Sequence, residues 1–390
     1  MESIRDYRLI EKIRERRGTA CYRAHKTDRA EPVIIELINA ARASPSEIAR
    51  FKHEYEKIKT LDHNGVVRTY DLFDYQNFIA VVTETFSGGP LHSRITPGGV
   101  DLETFLKLAV NLTRTLGDLH SRGLVHQSVT PDTVFCDQSG QHLKINGFGI
   151  SRLITRAHEE IYDPAVIRDI LPYLAPEQTG RMNRSVDHRA DLYAAGIIFY
   201  ELLIGAPPFS SDDPIEIIHA HIARRPVSPA EKNSAIPEMV STIVMKLLSK
   251  TMEDRYQSGY GAMADFQECA RQLEKYGELR AFEPGRRDMT LRFHVPEKLF
   301  GRENEIRTLM AAFDRAATGG NEVFLVAGRP GIGKSALINE IHKPVVAKRA
   351  YFISGKAEQY KRDIPYYPII QAFKELARQV LCEPDQRIEA

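Results

Sequence analysis

Cysteine is scarce in this 390-residue chain. Its four cysteines, Cys21, Cys136, Cys269 and Cys382, lie far apart, with no CxxC pair and no metal-ligand spacing. That argues against a disulfide framework or a zinc ribbon and points to free thiols in a reducing compartment. An excess of charge of one sign is also missing. Fifty-three basic residues against 52 acidic ones leave a formal net charge of +1, which gives no general electrostatic case for nucleic acid or an anionic membrane as partner. No run approaches the ~18 apolar residues of a membrane span, and the opening MESIRDYRLI is too charged for a signal peptide. The expected location is therefore the cytoplasm. Low-complexity tracts and internal repeats are absent too. What remains is ordinary globular composition, 43% hydrophobic and 27% charged, in a chain long enough for two or three cores.

The first 80 or so residues read as strands, a helix, and strands again. Tyr7–Ile13, Ala20–Ala24 and Val33–Ile38 are short and rich in β-branched or aromatic residues. Ser44-Pro45-Ser46 opens a helix over Glu47–Thr60, with Ile48, Phe51, Tyr55 and Ile58 at helical spacing. Val66–Phe73 and Phe78–Thr83 return to strand. From Leu102 the pattern is mostly helical, through Leu102–Arg122, Asp191–Ile204, Pro214–Arg224, Pro237–Ser249 and Gly261–Tyr276. After Tyr276 the periodicity fades around Pro284-Gly285-Arg286-Arg287, as in an interdomain linker. Near Leu299 a new unit begins: a helix (Glu303–Ala317), a strand (Glu322–Ala327), a glycine-rich turn and a helix (Lys334–Ile341).

Six markers in order resemble the frame of the protein serine/threonine kinase family. Glu54 stands where the family has the glutamate of its small-lobe helix, and His126 opens a counterpart of the catalytic loop. Phe148-Gly149 match the end of DFG, and Ala175-Pro176-Glu177 is an intact APE. Asp191–Phe209 is similar to the long central helix and its exit, and Arg255 takes the place of the arginine that pairs with the APE glutamate, Glu177. The resemblance covers about seventy percent of the chain. It implies an α+β bilobal kinase-like fold over residues 1–278, with a small lobe to about residue 86 and a large lobe over 87–278, then a linker at 279–297.

The groups that would perform phosphotransfer are replaced. A kinase holds triphosphate, holds magnesium and orients the attacking hydroxyl. The glycine positions of the phosphate loop, in Ile13–Tyr22 (IRERRGTACY), are Arg14, Arg16 and Thr19, with one displaced glycine at Gly18. The strand lysine of V-A-I-K is Glu36, which would face Glu54. In the catalytic loop, His126–Thr133, the base position is Ser128, the phosphate-directed lysine is Thr130 and the metal-binding asparagine is Thr133. The metal aspartate of DFG is Gly147. Asp132, one residue off the asparagine position, makes a poor stand-in. The retained residues Glu54, His126, Phe148, Gly149, Glu177, Asp191 and Arg255 belong to the mechanical frame. This is the pattern of a pseudokinase, with no catalytic set intact; the rival is an active kinase with atypical residues. Three arginines opposite two glutamates further predict that Arg14 or Arg16 folds back toward Glu36 and Glu54, filling the phosphate site from within.

Gly328-Arg329-Pro330-Gly331-Ile332-Gly333-Lys334-Ser335 fits the P-loop pattern GxxxxGK[ST], after an apolar strand and before a helix. It predicts ATP bound through Gly328, Gly331, Gly333 and Lys334, with Ser335 on Mg²⁺. Leu299–Glu303 (LFGRE) resembles the entry motif of AAA-like signal-transduction NTPases, so residues 298–390 are expected to be a partial α/β P-loop domain, without a Walker B strand. The combination resembles large bacterial hybrid signalling proteins, of which this chain would be a fragment. It implies partners among downstream domains or other signalling proteins, and a further alternative in which the ATPase is the switch and the kinase fold its scaffold.

Overall fold

The computed structural model describes residues 3–16, 19–28, 31–40, 45–59, 61, 63–148, 170–179, 185–289, 301–329, 331–341, 344–345, 348, 350–355 and 365–381. Gly18, Gly149 and Pro330 lie outside the described residues, as do the side chains of Arg16, Thr19 and Glu54.

Period-two alternation builds the small lobe. Strands β1 (Ser3–Ile4), β2 (Tyr7–Arg16), β3 (Thr19–Lys26), β4 (Pro32–Asn39), β5 (Thr69–Tyr75) and β6 (Phe78–Glu84) form one antiparallel sheet in the order β1-β2-β3-β4-β6-β5. In β4, Val33, Ile35 and Leu37 pack on one face with Tyr7, Ala24, Phe73, Ala80 and Val82. Ile38 turns to the other face, where it joins Ile79, Val81 and the Phe51 and Tyr55 side chains of helix α1 (Pro45–Lys59). Pro45 takes the first turn of α1, where a missing N–H costs nothing. The strand expected from Val66 starts later, at Thr69. Val66 instead makes an isolated bridge to Ile145, so burial against the large lobe accounts for its apolar character.

The large lobe is helical. Asp101 caps α2 (Leu102–Ser121) by accepting from the Thr104 N–H at 2.9 Å. Three short strands, β7 (Gly89–Pro90), β8 (Val134–Cys136) and β9 (Leu143–Ile145), form a second sheet too brief for its alternation to register in sequence. Helix α3 (Arg189–Ile204) is buried from Arg189 through Leu203, which is why it reads as apolar all round. It stops at Gly205, whose φ of 87° suits glycine, and a Cβ there would sit 2.5 Å from the Thr96 carbonyl. Around α3 lie α4 (Pro214–Ala223), α5 (Pro229–Lys232), α6 (Glu238–Leu247) and α7 (Gly259–Tyr276). Phe105, Phe199 and Phe266 meet edge to face at centroid distances of 5.2 to 5.8 Å and join α2, α3 and α7.

The C-terminal region contributes α8 (Glu303–Ala317), α9 (Lys334–Asn339) and α10 (Tyr367–Leu381). The strand expected over Glu322–Ala327 is not formed. Residues 321–329 pair with no other strand among the described residues, and Val323 and Leu325 are 88% exposed. A strand exists only through its ladder partners, and an apolar run without them stays irregular.

Candidate functional site

The site lies where the sheet of the small lobe faces the catalytic-loop segment. Register decides what points into it. Arg14 pairs with Cys21, Cys21 with Glu36, and Glu36 with Val81, so one row of side chains crosses β2, β3, β4 and β6 on the face that carries α1. Glu36 is 8% exposed. Burial pushes its carboxyl above the usual range, with Arg14 pulling the other way. Burial and the neighbouring Glu36 likewise push the Cys21 thiol up to about 12, against the pull of Arg14.

Among the described residues of the phosphate-loop segment, Arg14 places a cation in this cleft. Its Nη1 lies 3.5 Å from Oδ1 of Asp132 in the catalytic-loop segment, with both side chains partly buried. A guanidinium thus pairs with Asp132 on the large lobe and lies within electrostatic reach of Glu36 on the small one. Arg14, one of the two arginines expected to fold back, acts electrostatically on Glu36 and has its printed ion pair with Asp132. The side chains of Arg16 and Glu54 lie outside the described residues. Asp132 faces Arg14, and the described residues contain no group of three or more histidine, cysteine or acidic side chains placed to hold a metal ion.

The rest of the catalytic-loop segment turns inward on itself. The Thr133 hydroxyl lies 3.0 Å from the Ser128 carbonyl and 3.1 Å from that of Thr130, and accepts from the Thr130 N–H at 2.9 Å. Its hydrogen-bonding capacity is spent inside the loop. Gly147 has φ of 82°, a left-handed conformation, and offers no carboxylate. These residues do not fit the magnesium site of a kinase.

The frame around them is tightly held. Asp191 on α3 accepts from the backbone N–H groups of His126 (2.8 Å) and Gln127 (2.7 Å) and from His120 Nε2 (2.9 Å). Gln127 has φ of 60°, and its carbonyl accepts from Gln178 Nε2 at 3.0 Å. His126 packs on Phe148 at 4.3 Å between centroids. Its Nδ1 accepts from the Ser128 N–H, so Nε2 carries the proton toward the Asn146 carbonyl. Arg255 meets Glu177 with two bonds of 2.7 and 2.9 Å. The His120 contact to Asp191 has no counterpart in the sequence reading, because its signal is a single histidine on an amphipathic helix.

Burial lowers the His126 pKa to about 4 and that of His221 to about 3. Both rings stay neutral when folded and take up protons when unfolded, so stability present above pH 6.5 is lost as pH falls toward 4. Asp191, held below the carboxylate range once its hydrogen bonds and the two histidines outweigh burial, acts in the same direction lower down. Glu36, Glu201 and Asp288, raised chiefly by burial, act against it. Urea denaturation should show stability falling between pH 7 and pH 5, with about 2 kcal/mol from His126 alone; a flat profile would contradict the neutral buried rings.

In the C-terminal region, Gly331 and Gly333 adopt φ of 80° and 93°, the conformations that let the chain turn around Lys334. Lys334 Nζ donates to the carbonyls of Gly328 (2.8 Å) and Arg329 (2.9 Å), and Ser335 is exposed beside it. A cavity of about 370 Å³ adjoins the loop, lined in part by Arg302, Glu305, Phe324, Ile332 and Leu337. A flexible ammonium inside a glycine-rich turn, next to an open cavity, fits a nucleotide's phosphates. Among the described residues, no helix is long and apolar enough to cross a membrane.

Residues 7–267 match the protein kinase domain family and residues 298–390 the AAA ATPase domain family. A hybrid signal transduction histidine kinase G of Dictyostelium discoideum is 27% identical over 369 residues, covering 72% of this chain and 11% of that protein. A probable serine/threonine-protein kinase of Streptomyces coelicolor is 31% identical over 254 residues, covering 64% of this chain and 37% of that protein. The chain thus spans well under half of either relative. The crystal structure of the Mycobacterium tuberculosis PknI kinase domain (C20A mutant) shares the fold, with a TM-score of 0.54 at 19% identity over 67% of this chain and 95% of that one. With the whole span from Tyr7 to Phe266, and one residue beyond, under a single family, the chain belongs to the protein kinase domain family, and an AAA ATPase domain follows it at residues 298–390.

Proposed function

We propose that the kinase-fold region is a pseudokinase, a regulatory or scaffolding module without phosphotransfer, within a multidomain cytoplasmic signalling ATPase. The observation that carries this reading is Arg14, whose guanidinium pairs with Asp132 and acts electrostatically on the buried Glu36. A kinase stabilises phosphoryl transfer with lysine and magnesium around an anionic nucleotide. Here one cation is covalently part of the chain, already faces two carboxylates, and has no DFG carboxylate beneath it. The AAA region is the nucleotide site in this proposal: Lys334 would hold the outer phosphates of ATP and Ser335 its Mg²⁺, which neutralises phosphate charge when bound. Partners are then downstream domains of the same protein or other signalling proteins. A second reading, with the ATPase as nucleotide-driven switch and the kinase fold as its scaffold, draws on the glycine geometry around Lys334.

The test uses the chain carrying Lys334→Ala, so that only the kinase-like cleft is available. Incubation with labelled ATP, Mg²⁺ or Mn²⁺ and generic protein substrates should give no transfer. Adding Glu36→Lys should change nucleotide affinity by less than about threefold, under the 1.4 kcal/mol of a tenfold effect, because Arg14 still fills the site. Phosphotransfer that survives Ser128→Ala but is lost on Asp132→Ala would sink the pseudokinase reading and establish an atypical active kinase.

A further inference from the structure

The stretch after α7 has the texture of a linker, yet its first part is sewn to the large lobe at successive points. The Arg280 N–H donates to Gln272 Oε1 at 2.7 Å, and the Phe282 N–H to Met239 Sδ at 3.4 Å. Leu279 and Phe282 pack against the main core. Lys246 Nζ on α6 donates to the Pro284 carbonyl at 3.1 Å. The Gly285 N–H donates to Asp265 Oδ2 at 2.6 Å, and Gly285, at φ of 86°, turns the chain so that Asp288 faces the start of α7. There the Asp288 carboxylate accepts from the Gln257 N–H (2.5 Å) and the Ser258 hydroxyl (2.9 Å). Ser258 is itself the cap of α7, accepting from the Gly261 N–H at 3.0 Å. Only glycine fits at 261, because a Cβ would lie 2.2 Å from Asp288 Oδ1. An anion at this point also meets the positive end of an 18-residue helix.

The same cluster reaches the anchor of the APE segment. Gln257 Nε2 donates to the carbonyls of Met252 and Arg255, and its Oε1 accepts from Arg189. The Arg189 carbonyl accepts from Arg255, which grips Glu177. Asp288 and Glu177 are thus ends of one continuous polar chain, and residues 298–390, under the AAA family, begin ten residues after Asp288. Ten residues reach at most about 36 Å, so whatever holds Asp288 also confines the next domain.

We propose that residues 279–288 are an intramolecular docking strap, with the Asp288 carboxylate as its clasp, joining the Glu177–Arg255 anchor of the kinase fold to the AAA region. The docking stands on geometry alone; what it regulates rests on the reading given under Proposed function. Contiguity alone does not demonstrate coupling, so the experiment reads both ends. Amide hydrogen exchange is followed by mass spectrometry on the full chain, comparing wild type with Asp288→Asn, Asp288→Ala and Glu177→Gln. In the wild type, peptides over 279–289 should exchange far more slowly than an unstructured segment. Asp288→Asn should speed them several-fold and Asp288→Ala at least tenfold, with peptides over 102–121 unchanged as the control for global unfolding. Glu177→Gln should raise exchange at 279–289 several-fold if the chain of contacts transmits. Strap exchange at unstructured rates in the wild type, or unaltered by Asp288→Ala, overturns the docking; an unmoved strap in Glu177→Gln overturns the link. Phosphotransfer in the cleft would overturn the pseudokinase reading while leaving these exchange rates untouched, so the two failures are distinct.

Discussion

Arg255→Met should destabilise the chain by about 3–5 kcal/mol, the cost of leaving a buried charge without its partner. Arg255 is 1% exposed and Glu177 3%. All five N–H donors of the guanidinium are engaged: two on Glu177, and one each on the carbonyls of Ser249, Arg189 and Lys250. Its Cζ also lies 4.8 Å from the centroid of the Tyr193 ring. Methionine keeps the volume but leaves a buried carboxylate and three carbonyls short of a donor. Lysine should not rescue, since an ammonium cannot reproduce the planar fork. The double variant Arg255→Met/Glu177→Met should recover much of the loss, because no orphaned charge remains. Urea denaturation of the wild type, Arg255→Met, Glu177→Met and the double variant reads the cycle. A loss under 1 kcal/mol for the single variant would show that the pair is not holding the APE segment. For a domain with a typical ~5–15 kcal/mol of stability, the expected loss is a large fraction of the whole.

Lys334→Ala should weaken ATP binding by the chain about 100-fold, or ~3 kcal/mol, as expected when a charged partner of phosphate is removed. The folded state should barely notice. Among the described residues, Lys334 Nζ holds the exposed carbonyls of Gly328 and Arg329, and water can replace it there. Affinity and thermal stability should therefore separate: binding collapses while the melting temperature without nucleotide stays within a degree or two. Ser335→Ala should instead leave Mg²⁺-free binding unchanged and remove the gain that Mg²⁺ confers. Equal affinity in wild type and Lys334→Ala would place the nucleotide elsewhere, and the cleft beside Glu36 would have to be reconsidered.

Much of the fold was legible because local chemistry and burial agree. The near-continuous, β-branched run Val33–Ile38 matches a strand with two buried faces, and the apolar spacing of Ile48, Phe51, Tyr55 and Ile58 matches α1. Where sequence reading slipped, a partner distant in the chain had decided the matter. Val323–Val326 reads as a strand from composition, yet no ladder forms for it among the described residues. Val134–Cys136 and Leu143–Ile145 pair, but three residues carry too little periodicity to announce it. At the candidate site, the substitutions at positions 36, 128, 133 and 147 were visible directly. What replaced the lost chemistry was visible only in part. Three arginines opposite acidic residues raised the idea of an internal cation, but the pairing of Arg14 with Asp132 depends on strand register and on how the lobes face each other. Nothing in the composition of Pro284–Asp288 shows that Asp288 holds the capping serine of a helix 30 residues behind it, because that contact is set by the turn at Gly285.

The cation in the cleft has a physiological corollary. In an active kinase, the separation of the lobes follows a metabolite whose supply varies with the energy state of the cell. Arg14 is supplied at one copy per chain, at a local concentration fixed by the length of β2. On the proposed reading, the shape of the module is therefore blind to the ratio of ATP to ADP. It responds instead to whatever screens or competes for a partly exposed ion pair, a contact of this kind being worth about 0–1 kcal/mol and screened over about 8 Å at physiological ionic strength. Such a module would report its ionic surroundings, or a basic or acidic segment presented by a neighbouring protein, and leave the sensing of fuel to the P-loop.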